Sequence, residues 1–263
     1  MAARALLPIT FVFALLAVIA GPGATASEAE ALPAPRAAVF SFVGPVDYPG
    51  RMVGRRAADA VFASLAEEGP WELVKRGLIE RLCETEQARP PFAVGYLQML
   101  GHRAKAPLAV TGIVEVCEVN SARGTAQVTL LVELVETLEG ASLASHRGIG
   151  SAQRRADEVA PIDAIVDRAL QEAALDAVRK LTTFDVATAM VAVTLPDGRV
   201  MLDGPEEPAL RLGTRLLVYR RAGAGPEAIG VLEVRQSRLT VVHAHPIAGD
   251  DFRQGDRAIV VAR

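Results

Sequence analysis

The sequence predicts an α/β (α+β) sandwich over residues 37–184, followed by a small all-β, barrel-like domain over 186–263. Three observations carry this expectation. Compact apolar runs alternate with helical-period segments as far as Leu181. Beyond Phe184-Asp185 no helical period survives. The remaining β runs are short, evenly spaced and separated by glycine- and proline-bearing turns, as in closed barrels that leave no sheet edge.

The chain opens on a leader. Met1 to Ala26 carries Arg4, an apolar run from Leu6 to Ala20, and small residues at Ala24 and Ala26. A run of about 15 residues is short for a bilayer core of ~30 Å, so cleavage after Ala26 and a periplasmic product are expected; an uncleaved anchor is the alternative. No Cys follows the run, so no lipid-acylation site is expected. Residues 27–36 (SEAEALPAPR) read as a tether.

Each later element has its own signal. Ala38 to Val43 is a buried strand closed by Gly44-Pro45. Val53, Ala57, Ala60/Val61 and Leu65 recur at helical spacing until Gly69-Pro70. Trp71 to Val74 is a short strand; Leu78, Ile79 and Leu82 mark a short helix, and residues 92–104 another. Leu108–Val119, Thr125–Leu138 and Ala141–Ser151 form a meander of two hairpins, with Val110, Gly112, Val114 and Val116 expected on one face. Ile162 to Leu181 is a long amphipathic helix. Six strands are expected near 187–194, 199–202, 214–220, 228–234, 239–244 and 257–262.

Composition restricts function. With 51% hydrophobic and 22% charged residues, the 263-residue chain is neither disordered nor collagen-like. Lys+Arg 28 against Asp+Glu 31 gives −3, and the pairs Arg55-Arg56 and Arg154-Arg155 are too small for a nucleic-acid footprint. There is no G-x-S-x-G, Walker A, G-x-G-x-x-G after a strand, H-E-x-x-H or C-x-x-C motif. Gly148-Ile149-Gly150-Ser151 lies inside an expected strand, so it does not form a phosphate loop.

The remaining candidates have bland explanations. His243 and His245 share a strand face, as a metal pair would, but no carboxylate or Cys accompanies them in sequence; a wet strand end before Pro246 suffices. His102 and His146 stand alone. Glu115, Glu118, Glu133, Glu136 and Glu139 fit the solvated face of an antiparallel sheet better than an acid–base pair. Cys83 and Cys117 are either a disulfide, which export permits, or two small buried apolar side chains. No catalytic residue, metal or cofactor is assigned.

Several stretches resemble known families. AVFSFVG, GRRAADAVFASLAEEGP, WELVKRGLIERLCETEQ, LAVTGIVEVCEV, QVTLLVELVETLEGASLASHRGIG and IDAIVDRALQEAALDAVRKL resemble the region shared by CsgG-type curli secretion proteins, LpoB-type activators of peptidoglycan synthases and the TolB N-terminal domain. VTLPDGRVMLDG, LRLGTRLLVYRRA, AIGVLEVRQ and FRQGDRAIVV resemble the C-terminal domain of flagellar assembly protein T. The resemblance implies an anticodon-binding-domain-like sandwich and a non-enzymatic periplasmic accessory or assembly protein. Its partner would be an envelope protein complex or a cell-wall component, with no nucleic acid; peripheral association with the outer membrane and homo-oligomers fall within the same expectation. The open sheet edge and the barrel loops are the expected docking surfaces. The alternatives are an oligomeric CsgG-like scaffold or, from another class, a metal-dependent hydrolase using His243 and His245.

Overall fold

The structure, a computed structural model, describes residues 34–45, 52–155, 158–183, 187–204, 210–222, 225–238 and 241–263. The expected leader, residues 27–33 of the tether and the expected junction at Phe184–Val186 lie outside the described residues. None of the described helices is long and apolar enough to cross a membrane.

The first sheet has the order β2-β1-β3-β4-β5. It is built from β1 (Arg36–Val39), β2 (Glu72–Leu73), β3 (Leu108–Asn120), β4 (Thr125–Glu136) and β5 (Ser142–Gln153). β1 lies parallel to β2 and β3, while β3, β4 and β5 form the expected antiparallel meander. β1 starts at Arg36, inside the expected tether, and extended backbone continues to Val43, whose amide donates to Gly112 O at 3.0 Å.

Helices cover the sheet on two sides. α1 (Val53–Glu68) and α4 (Ile162–Leu181) bury Ala57, Val61, Leu65, Ile165, Leu170 and Val178 against Val110, Val128, Leu130, Val132 and Leu134. α2 (Arg76–Thr85) and α3 (Val94–Ala104) cover the β1 end of the other face, placing Ile79, Leu97 and Leu100 with Phe40, Ala109 and Val135. Arg56 ties α1 to α4, its Nε donating to Asp167 at 2.7 Å, and Arg55 donates to Glu80 at 2.9 Å. This basic pair is therefore engaged within the fold.

The second sheet closes. β6 (Thr188–Thr194), β7 (Val200–Asp203), β8 (Arg215–Ala222), β9 (Gly225–Arg238), β10 (Val241–Ala248) and β11 (Arg257–Ala262) form a barrel in the order β10-β7-β6-β11-β8-β9. Its interior holds Val191, Leu202, Leu216, Val218, Leu232, Val234, Ala258 and Val260. The alternate residues Leu217, Tyr219, Val231, Ile259 and Val261 join the core of the first sheet. Buried on both faces, β8 and β11 read as near-continuous apolar runs in place of alternating ones. Arg215 adds polar contacts across this seam to the carbonyls of Ser142 (2.8 Å) and Leu143, and Gly249 N donates to Glu139 at 2.6 Å. The sheet and barrel thus share one core within one compact unit. The architecture is mixed α+β with a closed six-strand barrel.

Three expectations need correction. First, a bulge between Val114 and Val116 shifts the β3 register, so everything beyond it changes face. Val116 is 36% exposed, while Cys117 and Val119 turn to the core. Second, Glu136 is fully buried: it accepts the amides of Leu138 (2.7 Å), Glu139 (3.1 Å) and Ala141 (2.6 Å), closing the β4–β5 turn. Third, β10 does not end before Pro246, which pairs with Leu232 inside the strand.

The β5 edge is not an open docking site either. Gly148 and Gly150 let α4 lie directly over it; an added Cβ would stand 2.0 Å from Ala173 O and 2.1 Å from Ala169 O, respectively. From that position α4 satisfies the edge. Asp176 accepts Ile149 N at 3.1 Å and Glu172 accepts Ser151 N at 2.8 Å; Lys180 donates to Arg147 O at 3.0 Å and Arg168 to Gln153 O at 3.2 Å. An edge whose donors and acceptors are engaged offers little to an incoming strand. The other edge, β2, is two residues long.

Candidate functional site

A groove of about 830 Å³ runs along the seam between sheet and barrel. That volume lies within the ~300–1,000 Å³ typical of ligand sites. One wall comes from the end of α3 and the segments after it: Gly101, His102, Lys105, Ala106 and Pro107. The β4–β5 turn contributes Thr137 and Leu138; β1 and β2 contribute Arg36 and Glu72. The barrel wall is Tyr219 on β8 with Pro226, Glu227 and Ala228 on β9.

Local structure fixes these positions. Lys105 caps α3 in the left-handed conformation (φ 51°), turning the chain toward β3. The Thr137 hydroxyl donates to Ala106 O at 2.8 Å, joining the two segments of that wall. Gly101 makes room for Thr137, since an added Cβ would lie 2.5 Å from its side chain. Gln98 donates to Leu138 O at 3.3 Å and holds the turn against α3.

The electrostatics divide into paired and free groups. Arg36 sits 3.2 Å from Glu72 and donates to Lys105 O, so these two side chains largely neutralise each other. Lys105, His102 and Glu227 have no side-chain partner among the described residues. Tyr219 is only 7% exposed, and burial raises its phenol well above the usual tyrosine range. Its hydroxyl stays protonated and has no hydrogen-bond partner among the described residues. The groove therefore offers a protonated phenol donor, a free cation on its sheet wall and a free anion on its barrel wall.

The residues singled out in sequence do not converge. His243 is half-buried on β10 opposite Met201 and Gln236, and His245 is exposed opposite Glu233. Among the described residues, no group of three His, Cys, Asp or Glu side chains is placed to hold a metal ion. Cys83 packs with the α2–α3 cluster and Cys117 with the α1–α4 core; both are free thiols, raised by burial. Glu115 accepts both nitrogens of a bidentate Arg147 at 2.6 and 2.8 Å, which holds its carboxyl below the usual range. His146 lies within β5, while His102 alone of the four histidines reaches the groove. The groove was not visible in sequence, because its walls come from six separated segments.

No family model and no curated protein matches this chain. Several solved structures are similar to part of it. One is a PelC dodecamer from Paraburkholderia phytofirmans: 12% identity, 54% of this chain, 88% of that chain, TM-score 0.36. Another is the LpoB C-terminal domain from Salmonella enterica: 13% identity, 46% of this chain, 85% of that chain, TM-score 0.35. A third, lipoprotein GNA1162 from Neisseria meningitidis, is 15% identical over 49% of this chain and 86% of that chain, at a TM-score of 0.36. Likeness at these identities and scores is too low for function to be read across.

Proposed function

We propose that this chain is a non-enzymatic accessory protein of the cell envelope, exported to the periplasm, that works by holding a segment of a partner in the seam groove. The observation that carries the proposal is the groove itself. Its two walls belong to two sheets welded by one apolar core, so it is a preformed cleft rather than a gap between loosely linked domains. The perturbed side chains support a binding role. The lowered carboxyls sit in ion pairs, as Glu68 does with Arg179 and Asp251 with Arg253 and Arg220, and none of them lines the groove. The stretches that resemble CsgG-type, TolB-type and flagellar assembly proteins favour the same reading.

The test is affinity capture from crosslinked envelopes with the wild type and with Ala228→Trp, which fills the groove from β9. The wild type returns one dominant complex and the variant loses it while keeping its melting temperature. Equal recovery from both would overturn the assignment of the groove.

A second reading, self-association, rests on the outer face of the first sheet. There Ile113 (42% exposed), Val116 and Ile149 (54%) surround the half-buried Leu131 on neighbouring strands. Light scattering at high concentration decides it, since a strict monomer excludes a stable oligomer.

A further inference from the structure

The two walls of the groove differ in a way that selects a ligand. Lys105, with His102 beside it, stands free on the sheet side, and Glu227 stands free on the barrel side. Tyr219, 7% exposed as a residue, lines the same groove with a hydroxyl that no described residue engages. The hydroxyl itself keeps access to solvent, and an acceptor on a ligand can replace water as its partner. Part of the lining is small: Ala34, Gly101, Ala106 and Ala228, with Pro107 and Pro226. Small side chains let a ligand backbone approach closely.

We propose that the groove binds a short extended peptide by both of its ends. The free carboxylate lies against Lys105, the free ammonium against Glu227, and a peptide carbonyl between them accepts the Tyr219 hydroxyl. A tetrapeptide, ~13 Å long when extended, serves as the probe. The chemistry disfavours a sugar. A sugar ring stacks on an exposed aromatic face, and Tyr219, the aromatic residue of the lining, has its ring in the core. This inference rests on the proposed binding role of the groove and specifies what the groove recognises.

The experiment is calorimetric titration of the mature chain with free tetra-alanine, with its N-acetylated form and with its C-amidated form. Free tetra-alanine binds, and blocking either end weakens it about tenfold. Lys105→Met weakens the free peptide by a similar factor but adds no loss with the amidated one; Glu227→Gln behaves in the same way toward the acetylated one. Tyr219→Phe lowers affinity for all three forms a few-fold. Melting curves of each variant establish that the fold is kept. Equal binding of free and blocked peptides overturns recognition of the ends, and no binding of free tetra-alanine at millimolar concentration overturns the peptide class. Neither result bears on partner capture with Ala228→Trp, so a failure here is distinguishable from a failure of the groove itself.

Discussion

Gly150→Ala is the sharpest probe of how α4 is seated on β5. The added Cβ would stand 2.1 Å from Ala169 O and 2.4 Å from Ala173 N, both helix backbone. Normal contact needs about 3.5 Å, so α4 must lift by more than 1 Å. A lift of that size stretches the Ser151 N to Glu172 bond of 2.8 Å and the Ile149 N to Asp176 bond of 3.1 Å. It also loosens the packing of Ile165, Ala169, Leu170 and Ala173. Overpacking a core costs typically ~1–3 kcal/mol; rigid backbone as the obstruction places this variant near the upper figure. For a cooperative unit of this size, that lowers the melting temperature by roughly 6–12 °C. Gly77→Ala on α2 is the control: its Cβ meets nothing within 4 Å, so stability is unchanged or raised by up to ~1 kcal/mol. Urea titration and calorimetry read both variants. A Gly150→Ala protein within about 0.5 kcal/mol of the wild type refutes the seating argument.

Three further outcomes follow from named contacts. Glu136→Ala removes the acceptor of the Leu138, Glu139 and Ala141 amides that closes the β4–β5 turn, and urea unfolding should show a loss of about 1–3 kcal/mol. A thiol reagent at pH 7 should react slowly with Cys83 and Cys117 in the native protein and with both at once after unfolding; no reactive thiol after unfolding would mean a disulfide. Asp176, Glu115, Glu68 and Asp251 are held below the usual carboxylate range, by Lys180, Arg147, Arg179 and Arg253 respectively. A depressed folded pKa gives stability that is present above the unfolded value of roughly 4 and lost as pH falls through the folded one. The urea midpoint should therefore be flat above about pH 5 and drop below about pH 4; an unchanged midpoint at pH 3 contradicts the ion-pair assignments.

The backbone plan was largely legible in the sequence, because periodicity and turn chemistry are local. The helix over Val53–Glu68 announces itself through Ala57, Val61 and Leu65, and its end through Gly69-Pro70. The barrel was visible in the even spacing of short runs. What failed depends on contacts between distant residues. Nothing local marks the bulge after Val114, which moves Val116 outward and Cys117 inward. Glu136 looks like its neighbour Glu133 in sequence, yet it is buried, because the turn that follows folds three amides onto it. The sheet edge looked open because its cover arrives from α4, beginning about ten residues beyond β5. The doubly apolar runs LLVY and AIVV were a readable trace of the seam, since each strand serves two cores. The groove beside that seam left no such trace.

Photo-crosslinking in intact cells tests the groove most directly. A benzophenone amino acid is placed at Leu138, 39% exposed in the groove, or at Val193, 41% exposed on β6 outside it. Matched exposure makes location the variable. A discrete adduct from Leu138, absent from Val193 and diminished by Ala228→Trp, is the predicted result. An adduct from Val193 alone, or one from Leu138 that persists undiminished when the groove is filled, would contradict it.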